Sequence, residues 1–212
     1  MGITFYTNPM SRGQIARWAL HEAGVQYDEQ IVGYGRAMKA PDYLAINPMG
    51  KVPAIVHDGI VVTEAAAICL YLAEAFPDAD LAPRSLAEKA DYLRWTFFAA
   101  GPVEQAVIAR SMGWEVADDP KVRGRLGFGC YDDTVAALAG WLTDRAYVCG
   151  DRFTAADIYV GAQVDWGLQF ATLPSQPQFQ AYAERLRERP AYRAARAIDA
   201  GHIAAMQAER AG

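Results

Sequence analysis

The chain has 212 residues, 52% of them hydrophobic and 21% charged, with a formal net charge of -5 at pH 7. This composition fits a packed globular protein of one large or two small domains, and its acidic balance gives no basis for binding nucleic acid or an anionic membrane. No stretch approaches the ~20 apolar residues that span a bilayer, and M-G-I-T-F-Y lacks a secretory n-region, so a cytoplasmic location is expected.

The first elements alternate in type. Ile3–Tyr6 is a strand candidate, followed by N-P-M-S and a helical pattern over Gln14–Ala23 that Gly24 stops. Ser11 and Gln14 have capping-box spacing, in which the hydroxyl accepts a free backbone N–H and the amide reaches back. The alternative is that Ser11 does chemistry. Tyr27–Val32 is β-like, and a glycine-containing loop leads to a short helical piece, Pro41–Ile46, then N-P-M-G-K-V-P. Ala54–His57 and Ile60–Val62 flank Asp58-Gly59, a tight-turn pair. Glu64–Ala75 is an apolar helix ending before Pro77. The predicted order is β-α-β-α-β-β-α.

Pro77–Pro83 reads as a linker, and beyond it no strand signal occurs. Ser85-x-x-Glu88 is a capping box opening a helix through Leu93, Trp95 and Phe98. Gly101-Pro102 marks either a kink or a new helix start. Further helices are expected over about Val122–Leu142, from the box at Thr154-x-x-Asp157, over Gln178–Arg187 and over Tyr192–His202, with Pro190 between the last two. An α/β domain, residues 1–78, is therefore expected before an all-α domain of five or six helices, residues 86–212. Cys69, Cys130 and Cys149 are far apart and read as reduced, mostly buried thiols. With His21, His57 and His202 equally scattered, no metal site and no Ser–His–Asp set is expected.

Three features of the first domain suggest a ligand. Pro53 stands at a strand entrance, where a Val52–Pro53 cis bond would leave Val52 N–H and C=O to pair with an extended peptide; an ordinary edge-strand proline is the alternative. Thr63 and Glu64 open an apolar helix, where Glu64 either complements the helix dipole or holds an ammonium while the free N–H groups hold a carboxylate. Ser11 sits at another helix start. Together these suit an elongated peptide, with its amino-acid head at Glu64, its middle at Val52 and a sulfur near Ser11.

Here the sequence resembles the cytosolic glutathione S-transferases over nearly its whole length. The resemblance rests on N-P-x-G-K-V-P, E-A-x-A-I-x-x-Y-L, G-x-x-F-T-A-A-D-I at 150–158 and R-P-A-Y-R-A, in that order. It implies a thioredoxin-like N-terminal domain and an all-α C-terminal domain, in a bacterial-type enzyme of serine-type activation. It also implies Val52 and Pro53 at the cysteinyl part of glutathione, Glu64 at its γ-glutamyl end, and Lys51 and Arg12 nearby. The family's Ser after that acid is Ala65 here, one hydrogen bond fewer, worth ~0.5–1.5 kcal/mol.

For thiol activation the resemblance offers Ser11, two positions after Pro9, or Tyr6, eleven residues before Arg17-Trp18. Ser11 is preferred because P-x-S places it on the loop; Asn8 is a weaker donor. The resemblance further implies a small hydrophobic electrophile near Met10, Phe98, Met112 and Trp114, a homodimer, and a role in detoxification with glutathione as co-substrate and no metal. Thr154 and Asp157 are given a folding role. Two other readings are a glutathione-dependent peroxide or disulfide reductase, for which no activating cysteine stands among residues 1–68, and a non-catalytic binding protein, for which Ala65 speaks.

Overall fold

The computed structural model describes residues 2–211; Met1 and Gly212, the outer limits of the two predicted domains, lie outside the described residues. The chain forms two compact units that break at Ala82–Pro83, within the predicted linker. Residues 188–211 cluster with the first unit, whereas the sequence reading placed them with the helical domain.

In the first unit β1 (Ile3–Thr7), α1 (Gly13–Glu22), β2 (Asp28–Ile31), α2 (Pro41–Ile46), β3 (Ala54–His57), β4 (Ile60–Thr63) and α3 (Ala65–Ala75) follow the predicted order. The sheet runs β2-β1-β3-β4, with β1 and β2 parallel and the other pairs antiparallel. Alternation in β1 buries Ile3, Phe5 and Thr7, while Thr4 and Tyr6 on the opposite face are half-buried. Ile55 of β3 and Ile15, Leu20, Ile68 and Leu72 of α1 and α3 are also fully sequestered, each worth ~1.5–3 kcal/mol. A second cluster joins Val32, Met38 and Tyr43 to Tyr6, Ile46 and Val52. Asp58 and Gly59 both take positive φ, 48° and 86°, as a two-residue hairpin turn requires.

The last helix, α10 (Pro190–Ala211), packs along α1 in this same unit. Its Asp199 accepts from the buried Arg17 Nε at 3.0 Å, and Arg17 also pairs with Glu29 of β2. Arg189 and Glu22 form a two-bond pair at 2.6 and 2.7 Å, and Trp18 meets Tyr192 edge-on.

The second unit comprises α4 (Leu86–Phe98), α5 (Glu104–Ser111), α6 (Pro120–Arg123), α7 (Tyr131–Leu142), α8 (Ala155–Gln169) and α9 (Pro177–Arg187). With α10, seven α-helices follow the linker among the described residues, more than the five or six expected. At Gly101-Pro102 a π-helical turn, Ala99–Val103, joins α4 to α5. The single helix expected over Val122–Leu142 is two, because Gly124, Gly127 and Gly129 interrupt it and Gly129 takes φ 61°.

The predicted box at Thr154 and Asp157 is formed. At Ser85 only half of one is: Glu88 N donates to Ser85 Oγ at 3.1 Å, but the Glu88 carboxylate accepts from Arg84 N instead and pairs with Arg152.

Candidate active site

Strand register assembles the predicted site. Gln30, Tyr6, Ala54 and Thr63 lie side by side across the four strands. Just past that row come the Asn8–Ser11 turn after β1, Val52-Pro53 before β3, and Glu64 after β4. Two strand spacings, about 9.6 Å, separate β1 from β4. Three extended residues span about 10 Å, so the edge is as wide as a tripeptide is long.

The Ser11 turn is closed by its own side chains. Asn8, 2% exposed, accepts Met10 N at Oδ1 (3.0 Å) and donates from Nδ2 to Val32 O (3.0 Å). Its carbonyl accepts both Ser11 N (3.0 Å) and Ser11 Oγ–H (2.6 Å). Ser11 Oγ in turn accepts Gly13 N at 2.9 Å. A Cβ at Gly13 would overlap Thr7 Oγ1, so only glycine allows this approach.

The predicted Ser11–Gln14 capping box is therefore corrected. The hydroxyl does accept a helix-start N–H, but α1 begins at Gly13 with Arg12 as its cap residue. Gln14 Nε2 donates to Pro9 O at 2.5 Å rather than to Ser11, and Gln14 Oε1 is held by Arg196 of α10. Tyr34 completes the turn by donating to Met10 O at 2.9 Å. Three successive carbonyls, at Asn8, Pro9 and Met10, are thus each bound by a different side chain.

A second N-P-M turn borders the other strand. Asn47 Oδ1 accepts Met49 N at 3.0 Å, Asn47 O accepts Gly50 N at 2.7 Å, and Asn47 Nδ2 donates to Lys51 O at 2.8 Å. Tyr43 Oη also donates to Lys51 O, at 2.6 Å. Lys51 is exposed, Val52 half-buried and Pro53 buried, and the Val52–Pro53 bond is cis, the first of the two geometries open from the sequence. Val52 N–H and C=O make no hydrogen bond among the described residues.

Glu64 has φ 65° and ψ 119°, a conformation that costs a non-glycine residue ~1–3 kcal/mol and recurs at ligand clamps. Its side chain is exposed, while its carbonyl starts α3 by accepting Ile68 N at 2.9 Å. Ala65 behind it is buried.

Tyr6 is half-buried against Tyr43, with ring centroids 5.8 Å apart, and its hydroxyl has no hydrogen-bond partner among the described residues. Arg12 is half-buried, and its charge acts on Tyr34. Met10 is 45% exposed beside Ser11. Of the other apolar candidates, all in the second unit, Phe98 packs edge-on against Trp95, while Met112 and Trp114 are exposed after α5.

Only Cys69 is fully buried, and burial pushes its thiol far up; Cys130 and Cys149 are half-buried, a correction to the expected set of mostly buried thiols. Tyr34 was missed as part of the turn, and Gln14 was assigned to Ser11 where its amide instead binds Pro9 O. N-P-M-S carried a signal for Asn8, since Asn before Pro favours a side-chain-closed turn.

In the second unit Asp157 is fully buried, and burial pushes its carboxyl up to about 6. It accepts Val148 N, Thr154 N and Tyr182 Oη at 2.7–2.8 Å and Thr154 Oγ1 at 3.1 Å. These bonds tie the α8 start to the preceding loop and to α9, in accord with a folding role.

Residues 10–75 match the model of the glutathione S-transferase N-terminal domain, and residues 132–190 that of the C-terminal domain. Glutathione S-transferase GstA of Escherichia coli O157:H7 is 30% identical over 159 residues, 73% of this chain and 77% of that one. The theta class glutathione S-transferase from Xanthomonas axonopodis pv. citri, solved with glutathione bound, superposes with TM-score 0.73 at 30% identity, covering 92% of this chain and 96% of that one. A glutathione transferase homologue from sulfitobacter, also with bound glutathione, gives TM-score 0.71 at 26% identity over 91% and 96% of the two chains.

Proposed function

The chain belongs to the glutathione S-transferase family, and from that membership we propose that the edge bearing Ser11, Val52 and Glu64 binds glutathione and converts its thiol to a thiolate that attacks a small apolar electrophile. The observation that carries this reading is the register: it brings a hydroxyl, an unpaired peptide unit and an open carboxylate to one sheet edge of tripeptide width. Val52 offers one donor and one acceptor for strand-like pairing. Glu64 offers its carboxylate to an ammonium, and the first N–H groups of α3 face a carboxylate without the hydroxyl that Ala65 lacks.

Ser11 is the proposed thiolate donor. Its proton rests on Asn8 O, and that carbonyl keeps Ser11 N when the hydroxyl proton turns away. No buried acceptor is orphaned, so the exchange costs little. Gly13 N continues to hold Oγ and to polarise it. A thiol of pKa ~8.5 needs ~2.7 kcal/mol of preferential thiolate binding to fall two units. A hydroxyl donor supplies ~1.5–3 kcal/mol and the start of α1 ~0.3–1.

A second reading assigns the donor to Tyr6, favoured by its unpartnered hydroxyl and its contact with the cluster that includes Val52. Met10 is the proposed apolar contact for the electrophile on the first unit. A cytoplasmic homodimer is part of the proposal; Ile60 and Val61, 56% and 46% exposed on edge strand β4, support association.

The test is an ultraviolet titration of the bound glutathione thiol in wild type, Ser11→Ala and Tyr6→Phe. An apparent pKa well below ~8.5 in wild type that rises by about one unit only in Ser11→Ala is expected. A rise only in Tyr6→Phe transfers the role to Tyr6, and failure of wild type to bind glutathione overturns the reading.

A further inference from the structure

We propose that Asn8 is a positioning residue for thiol activation, acting through Ser11, and that the loop after β2 serves as its jig. The proposal rests on the assignment of Ser11 as thiolate donor. Asn8 is buried and uses every polar atom of its side chain and its carbonyl on two segments. Oδ1 and O hold Met10 N, Ser11 N and the Ser11 hydroxyl, while Nδ2 reaches 24 residues along the chain to Val32 O. Val32 N, for its part, donates to Thr7 O at 2.8 Å, so the segment that Asn8 grips is itself fixed to β1. Tyr34, two residues on, adds the outer fastening to Met10 O. The turn is thereby held at two points just ahead of Ser11 by one neighbouring loop.

This fastening matters for the chemistry because an anion near Ser11 meets the carbonyls of the same turn. When the Ser11 hydroxyl turns to the thiolate, Pro9 O and Met10 O keep their side-chain donors and Asn8 O keeps Ser11 N, so the negative end of each carbonyl is still partly offset. A hydroxyl aimed to a few tenths of an ångström is also a stronger donor than one that wanders, since hydrogen-bond strength falls steeply with angle. Asn8 Nδ2 is committed to Val32 O on the neighbouring loop, so its role in the proposal is to aim the donor.

The experiment measures the apparent pKa of the bound glutathione thiol, the dissociation constant for glutathione at a pH where the thiol is protonated, and far-ultraviolet circular dichroism. It uses the full chain as Asn8→Ala, Tyr34→Phe, Ser11→Ala and Asn8→Ala/Ser11→Ala. Asn8→Ala is expected to raise the thiol pKa by about half a unit, roughly threefold less thiolate at a fixed pH, with the dissociation constant changed less than about twofold. Tyr34→Phe is expected to do the same to a smaller extent. In the double variant the pKa equals that of Ser11→Ala alone, because Asn8 acts only through that hydroxyl.

An unchanged pKa in folded Asn8→Ala, or additive shifts in the double variant, overturns the proposal while leaving Ser11 as donor. If Ser11→Ala itself leaves the pKa unchanged, the Ser11 assignment falls and this proposal with it. Should Asn8→Ala not fold, Tyr34→Phe decides: its ring is 57% exposed, and an unshifted pKa there overturns the proposal.

Discussion

Two stretches of the first unit begin with the same three residues, Asn8-Pro9-Met10 and Asn47-Pro48-Met49, and fold the same way locally. In both, the asparagine Oδ1 accepts the methionine N–H at 3.0 Å and its carbonyl accepts the next N–H. They diverge at the fourth residue and in the reach of the amide. Ser11 continues into a helix, whereas Gly50 takes φ 56° and leads to an extended segment. Asn8 Nδ2 grips a distant loop, and Asn47 Nδ2 grips Lys51 O, only four residues on. One local design thus presents a hydroxyl on one side of the edge and a bare peptide unit, Val52, on the other. The common part makes a rigid corner, and the variable part decides what the corner displays.

Three measurements bear on this contrast. The largest effect is expected for Gly50→Ala, since a Cβ there would overlap Met38 O and the backbone is left-handed. A loss of about 3 kcal/mol is expected by urea unfolding, against about 1 kcal/mol for Ser11→Ala, which removes a cap-like bond and a donor to Asn8 O, a carbonyl that keeps Ser11 N. Equal losses at the two fourth positions would erase the distinction drawn between the corners.

A corner outside the edge, at Thr154–Asp157, separates pH effects of folding from those of the site. Asp157, raised to about 6 against ~3.9 in the unfolded chain, binds its proton more tightly when folded. Its contribution to stability is therefore greatest below about pH 4 and declines as pH rises to about 6, by on the order of 2 kcal/mol. The melting temperature of Asp157→Asn should show a correspondingly flatter or reversed dependence over that range; an unchanged slope excludes this carboxyl as the cause.

The smallest effect is expected for Asn47→Ala. It frees Lys51 O from one of two donors, and glutathione affinity by calorimetry should weaken up to about tenfold with the thiol pKa unmoved. That pattern is opposite to the one expected for Asn8→Ala. If both variants move the same observable, the two corners do not divide the labour between binding and activation.

Much of the architecture was legible along the chain because it depends on local chemistry. Asp58-Gly59 specified a hairpin, Pro53 a strand entrance with a cis bond as one of two open geometries, and Thr154-x-x-Asp157 a helix start. Misreadings arose where a distant partner competed for a side chain. Gln14 has the right spacing for a capping box with Ser11, yet Pro9 O and Arg196 occupy its amide, the latter 182 residues away. The α10 helix was placed with the other helices by its position in sequence. Its docking is fixed by Asp199 and Arg17, a pairing that no local window contains. At the candidate site the fastenings of the Asn8–Ser11 turn were not legible, because Val32 and Tyr34 reach it from 24 residues along the chain.

The return of α10 to the first unit sets an order of events during synthesis. Ile3 to Ala82 emerge from the ribosome long before Pro190 to Ala211, so the sheet and its first three helices exist for a time with the α1 face toward Trp18 and Arg17 uncovered. Until Asp199 arrives, the Arg17 guanidinium, 1% exposed in the finished protein, lacks one of its two carboxylate partners and stays hydrated. The second unit, continuous from Pro83 to Arg187, can close in the interval. The half of the molecule that starts first is therefore completed last, and a chain that ends before residue 190 leaves the α1 face toward Trp18 and Arg17 open.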